Sequence, residues 1–135
     1  MSLATCVDNK PWVCEVHYVY DDELNFYFRS KTSRRHSQEI DQNSHVAGNI
    51  IEQYLREMKS RGVYFEWDAR VLECDELQDI GWLFEYRFGL NTDEIITDAQ
   101  QQNGHKFYQI RVSGFTLFDK RESELGTKYK LEWNK

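Results

Sequence analysis

The stretch LNFYFRSKTSRRHSQEI, Leu24 to Ile40, changes its periodicity halfway along. Leu24, Phe26 and Phe28 fall on one face of an extended chain and Asn25, Tyr27 and Arg29 on the other, which predicts a strand. Beyond it the alternation stops. Ile40 is the main apolar residue among Arg34, Arg35, Gln38, Glu39 and Asp41, and a surface helix capped by Thr32 or Ser33 is predicted to run to about Asn43. The junction, Ser30-Lys31-Thr32-Ser33-Arg34-Arg35-His36, packs hydroxyls and basic side chains together in a chain that is acidic overall. A helix N-terminus presents unpaired N–H groups and about half a positive charge, so arginines are unfavourable there. A bound phosphate would remove the conflict by accepting from hydroxyls, backbone N–H groups and guanidinium forks. A solvated basic helix start fits the charges equally well.

Position favours the phosphate. The cluster directly follows the aromatic run Phe26-Tyr27-Phe28, beside a strand carrying Trp12, Tyr18 and Tyr20. A planar ring could lie along such a sheet with its phosphate tail at the helix, which is the shape of a mononucleotide site.

Working outward, Ser2 to Val7 reads as a strand and Asp8-Asn9-Lys10 as a turn. Pro11 to Tyr20 reads as a second strand with apolar residues on both faces, so the first thirty residues form an antiparallel meander. Downstream, strands are predicted over Val46–Ile51, Gly62–Leu72, His105–Ser113, Phe115–Phe118 and Lys128–Trp133. A connector from Glu52 to Arg61 is predicted to hold a helical turn through Tyr54, Leu55 and Met58. Asp75 is expected to cap a helix over Glu76–Phe88 that Gly89 ends, and Asn91 or Thr92 to cap a short helix with Ile95 and Ile96 inside. A turn is expected from Glu122 to Gly126. Strands with helices inserted between them, in one domain spanning 1–135, predict a mainly β fold: an antiparallel barrel, closed or partly closed, with peripheral helices.

A net charge of −6 and a pI near 5.2 oppose a nucleic-acid or anionic-membrane binder, since both need a positive face. No run approaches the roughly 18 to 20 apolar residues of a membrane span, and the opening MSLATCV lacks the pattern of a secretory leader. Cys6, Cys14 and Cys74 lack CxxC spacing and suit reduced thiols, so a cytoplasmic protein is expected. An aromatic share of 15% calls for a flat ligand site, an oligomer interface, or both. Neither GxSxG nor a Walker-type loop is present, and His17, His36, His45 and His105 never fall at i, i+4. No catalytic residue and no metal set is therefore assigned.

The sequence resembles the pyridoxamine phosphate oxidase-like flavin-binding split barrels, and especially their small uncharacterised bacterial members. The resemblance runs from LATCVDNKPWVCEVHYVY through LNFYFRSKTSRRHSQEI and RGVYFEWDARVLE to FTLFDKRESELGTKYKLEW. It implies a split β-barrel that binds FMN and works as a homodimer. Ser30 would hydrogen-bond the phosphate or ribityl, and Arg35 and His36 would hold the phosphate, with Lys31 and Ser33 in the same cluster. Val16 and His17 would run beside the flavin ring, Phe28 and Arg29 would lie under the ribityl chain, and Lys128 would face the flavin or a substrate anion from across the dimer. The oxidases proper carry a glutamine where this chain has Gly62 and a glycine where it has Trp67, so the resemblance names no substrate. It implies an FMN-dependent oxidoreductase or flavin reductase acting on a small molecule. The alternatives are a flavin-binding or flavin-storage protein without turnover, and a split barrel that binds haem or another ligand.

Overall fold

The computed structural model describes residues 1–52, 60–120 and 127–132. The helical turn expected through Tyr54, Leu55 and Met58, the turn from Glu122 to Gly126 and the end of the last strand at Trp133 lie outside them. The elements are β1 (Ser2–Val7), β2 (Lys10–Glu15), β3 (Tyr18–Tyr20), β4 (Phe26–Lys31), α1 (Arg35–Gln42), β5 (His45–Ile51) and β6 (Arg61–Val71). A 3₁₀ turn (Cys74–Glu76) then leads into α2 (Leu77–Phe88), α3 (Thr92–Gln100), β7 (His105–Arg111), β8 (Gly114–Asp119) and β9 (Thr127–Glu132).

The nine strands among the described residues belong to one antiparallel sheet, ordered β2-β1-β5-β6-β7-β4-β3, with β8 added to β6 and β9 to β8. Its first and last strands, β2 and β3, are consecutive in sequence and separated by Val16 and His17 alone. Seven strands laid flat would put them nearly 30 Å apart, whereas three Cα steps reach about 11 Å. The sheet must therefore curl until its edges meet. Val16 still pairs with Met1, each N–H bonded to the other's carbonyl at 3.0 Å, so the crossing from one edge to the other falls at His17.

The sequence reading of Pro11 to Tyr20 as one strand is thus corrected to two, because a strand continued straight would leave the barrel open. Asp8 and Asn9, at φ 52° and 59°, form the two-residue connection of the β1–β2 hairpin, where both central residues need positive φ. Leu24, assigned by alternation to the face of Phe26 and Phe28, instead sits in the preceding turn at φ 61° with its side chain exposed.

β6 holds the barrel together. One edge pairs with β5 from His45 to Ile51, and the other meets β7 at Asp68–Val71 and β8 at Arg61–Tyr64. Between these two pairings the β7–β8 side carries one residue more than β6, so the long strand kinks at Val112–Gly114. Beyond the kink its halves take different neighbours, β4 beside β7 and β9 beside β8, and the barrel splits there.

Inside the curl, Leu3, Phe26, Phe28, Ile40, Val46, Phe65, Tyr108 and Ile110 form the main core, with the Phe28 and Tyr108 rings stacked 4.9 Å apart. On the outer face, Val19, Tyr27 and Phe107 pack beneath Leu77 and Phe84 of α2 and Ile95 and Ala99 of α3. The alternation of β4 is what serves both layers. At the outer layer, Tyr27 donates to Asp21 at 2.7 Å and accepts from Gln109 at 3.1 Å, and burial pushes its phenol up to about 12.

α3 is capped by Asn91, whose side chain accepts from the Glu94 N–H, and α2 ends at Gly89 with φ 67°. The cap expected at Asp75 is moved to Glu73, which forms a reciprocal capping box with Glu76 around the 3₁₀ turn. Among the described residues, no helix is long and apolar enough to cross a membrane.

Candidate functional site

β4 delivers Ser30 at its inner, buried end, and the turn that follows closes through the Arg34 N–H bonded to the Lys31 carbonyl at 3.0 Å. α1 then begins at Arg35. Its N-cap residue is Arg34, with no side-chain cap, and its first turn contains no acid. This corrects the expected cap at Thr32 or Ser33: the extended turn takes both residues past the helix end and leaves them exposed. The first helical hydrogen bond joins the Gln38 N–H to the Arg34 carbonyl, so the N–H groups of Arg35, His36 and Ser37 have no acceptor within the helix.

His36, on that first turn, lies over the Phe28 ring at 6.1 Å and reaches two partners. Its Nε2 is 2.7 Å from the Ser30 hydroxyl, and its Nδ1 is 3.4 Å from the Cys14 sulfur on β2. Burial pushes the imidazole pKa down, and the charge of Arg34 adds to this against the opposing charge of Glu39. His36 is therefore a neutral ring at neutral pH, beside a hydroxyl and the open N-terminus of a helix.

The two arginines are held differently. Arg35 Nε donates to Glu39 at 2.7 Å and its guanidinium lies 4.4 Å from the centre of the Trp12 ring. Glu39 is itself buried, and the Thr5 hydroxyl bond, then Arg35, hold its carboxyl below the usual value. Arg34 is exposed, and its field is felt at His36.

The other expected residues are distributed around this group. Lys31 and Ser33 are exposed on the turn. Arg29, on the opposite face of β4 from Ser30, donates to Asp98 of α3 at 2.7 Å and lies over Phe107. Burial would raise the Asp98 carboxyl, but the bonds from the His105 N–H and ring, both 3.0 Å, hold it low. Val16 and His17 occupy the crossing between β2 and β3, where His17 meets the edge of Phe88 at 5.7 Å. Lys128, on β9, lies 5.7 Å from the centre of the Tyr64 ring of β6. The structure thus joins Phe28, Ser30 and His36 with Arg35 close by, and sets Arg29 on the other face of the sheet and Lys128 on another strand pair.

Sequence reading missed Cys14, Trp12, Thr5 and Glu39 as members of the group. Trp12 and Cys14 share one face of β2, as the i, i+2 spacing shows, but only the tertiary placement of α1 over β1 and β2 brings that face to His36 and Arg35.

A separate groove of about 850 Å³ opens where the barrel splits, lined among others by Tyr64, Glu66, Trp67, Arg111, Lys130 and Glu132. None of its lining residues belongs to the Ser30–His36 group. Among the described residues no cluster of His, Cys, Asp and Glu is placed to hold a metal ion.

No protein-family model matches the chain. A UPF0306 protein of Klebsiella pneumoniae subsp. pneumoniae is 36% identical over 70 residues, covering 51% of this chain and 48% of the relative. The chain thus aligns with about half the length of the curated relatives it matches. Among solved structures, the conserved hypothetical protein Rv2991 of Mycobacterium tuberculosis superposes with a TM-score of 0.70 at 22% identity, over 90% of this chain and 77% of its own. HutZ, the heme storage protein of Vibrio cholerae, superposes with a TM-score of 0.62 at 20% identity, over 82% and 79%. An FAD-binding protein of Mesorhizobium loti gives 0.64 at 15% identity, over 84% and 80%. At these identities the likeness is one of architecture, and the chain is a mainly antiparallel split β-barrel of the kind found in flavin- and heme-binding proteins.

Proposed function

We propose that the protein is an FMN-binding flavoprotein, working as a homodimer in an oxidoreductase or flavin reductase reaction on a small molecule. The observation that supports it is the start of α1: an acid-free helix N-terminus with open N–H groups at Arg35, His36 and Ser37, beside the Ser30 hydroxyl and the Arg34 guanidinium. These donors fit a phosphate dianion, which accepts from all of them. His36 supports the Ser30 hydroxyl at 2.7 Å, while Arg34 and Arg35 supply the charge that compensates the phosphate. FMN bound there would supply hydride or electron transfer, as the cofactor does in any flavoprotein. The chain's own part is to fix the phosphate, to present the Val16–His17 crossing along the ring side, with Phe28 buried beneath as the support of His36, and to leave a flavin face open. Haem binding is the competing reading, from the likeness to the heme storage protein. The absorbance spectrum of the purified protein tests both: flavin bands, bleached by a nicotinamide donor, support the proposal, and a Soret band or a colourless protein that takes up no added FMN opposes it.

A further inference from the structure

Ser30, His36 and Cys14 form a line of three hydrogen-bonding groups running from the proposed phosphate site into β2. A neutral imidazole donates from one nitrogen and accepts at the other, and the two choices have opposite consequences for Ser30. If Nδ1 carries the proton, it must donate to the Cys14 sulfur, a weak acceptor, while Nε2 takes the Ser30 hydroxyl proton. Ser30 could then only accept, and would turn lone pairs toward an anion. If Nε2 carries the proton, Nδ1 accepts from the Cys14 thiol, Nε2 donates to Ser30, and the Ser30 hydroxyl proton turns away from His36, toward the Lys31 carbonyl at 3.5 Å and the turn where the phosphate is proposed to bind. The Ser30 hydroxyl has an acceptor of its own in the Lys31 carbonyl, which leaves Nε2 to donate to its oxygen and Nδ1 to accept from the Cys14 thiol, whose proton burial first, then the charges of Glu15 and Glu39, help it to keep.

We propose that Cys14 is a positioning residue: its thiol, donating to Nδ1, holds His36 as the Nε2–H tautomer and so aims the Ser30 proton at the phosphate site. The proposal rests on the FMN reading for the identity of the anion, but the tautomer itself is a property of the protein without ligand. Losing the thiol would leave Nδ1 without its partner and remove the group that selects between the two arrangements.

The test is nitrogen NMR of the ligand-free protein carrying ¹⁵N-labelled histidine, followed by fluorescence titration with FMN. The expected result is a pyrrole-type Nε2 and a pyridine-type Nδ1 at His36 in the wild type. Cys14→Ala should give a mixture of tautomers and about three- to tenfold weaker FMN binding, the loss of roughly one hydrogen bond. Cys14→Ser, which keeps a donor, should restore the tautomer and most of the affinity. An Nδ1–H or doubly protonated His36 in the wild type overturns the proposal without any variant having to fold, as does a Cys14→Ala protein with tautomer and affinity unchanged. A wild type that binds no FMN contradicts the proposed function instead, and the spectrum of His36 still decides the tautomer.

Discussion

Ser30 is buried at the end of β4, yet its hydroxyl is one bond from the open end of a helix. A hydroxyl bonded to a phosphate dianion contributes more than one bonded to a neutral group, roughly 1.5 to 3 kcal/mol. Ser30→Ala is therefore expected to weaken FMN binding about tenfold to a hundredfold, read by quenching of flavin fluorescence, and to cost about 1 to 3 kcal/mol of stability by leaving His36 Nε2 without its partner. The hydroxyls and basic residues of this cluster were legible in the sequence because they break the acidic background. Which of the arginines is engaged was not, since Glu39 and Trp12 reach Arg35 from α1 and from β2, twenty-three residues before it in the chain. Glu39 also carries a pH signature. Its carboxyl is held below its ordinary value of 4.5, so its bonds to Thr5 and Arg35 stabilise the fold fully above that pH. That contribution is lost as pH falls through the lower, folded value. Urea unfolding from pH 7 downward should show Glu39→Gln less stable at neutral pH and losing less than the wild type below pH 4.5; parallel curves would show the carboxylate is not what Arg35 and Thr5 hold.

At the scale of elements, α1 is a helix whose local chemistry works against itself. Arg34 stands where Asp, Asn or Ser would cap the helix, and no carboxylate answers its N-terminal dipole. Arg34→Asp should supply both a cap and a favourable charge, stabilising the fold by about 1 kcal/mol and raising Tm by about 3 °C. The same change puts a negative charge where the phosphate is proposed to bind, so FMN affinity should fall as Tm rises. A variant improved in both would mean that the helix end is merely a poor cap. The elements themselves were largely readable: Gly89 stops α2 and Asn91 caps α3, as turn and cap chemistry dictate. What the local pattern could not show was the break at Val16–His17. Alternation runs straight through those residues, and only closure of the sheet forces the chain from one edge to the other.

For the whole molecule, the barrel was legible in the strand pattern and its split in the family resemblance, but the place of the split was not, because the fork of β7 and β8 depends on which neighbours β4 and β9 find in space. The surface still carries large exposed side chains, among them Trp12, Val13, Ile51, Tyr64, Trp67 and Leu131 on sheet strands. Apolar and aromatic strand surface of this kind is what a two-fold interface covers. Light scattering at micromolar concentration is expected to give about twice the chain mass of 16.3 kDa, and a stable monomer that binds FMN would remove the dimer from the account. The central claim is narrower, that the start of α1 binds the phosphate of FMN. Riboflavin has the same ring and ribityl chain without the phosphate, so parallel fluorescence titrations with FMN and riboflavin isolate that one group. FMN is expected to bind tighter by about tenfold to a hundredfold, with the difference abolished in Ser30→Ala combined with Arg34→Asp. Equal affinities for the two flavins, or no binding of either, would contradict it.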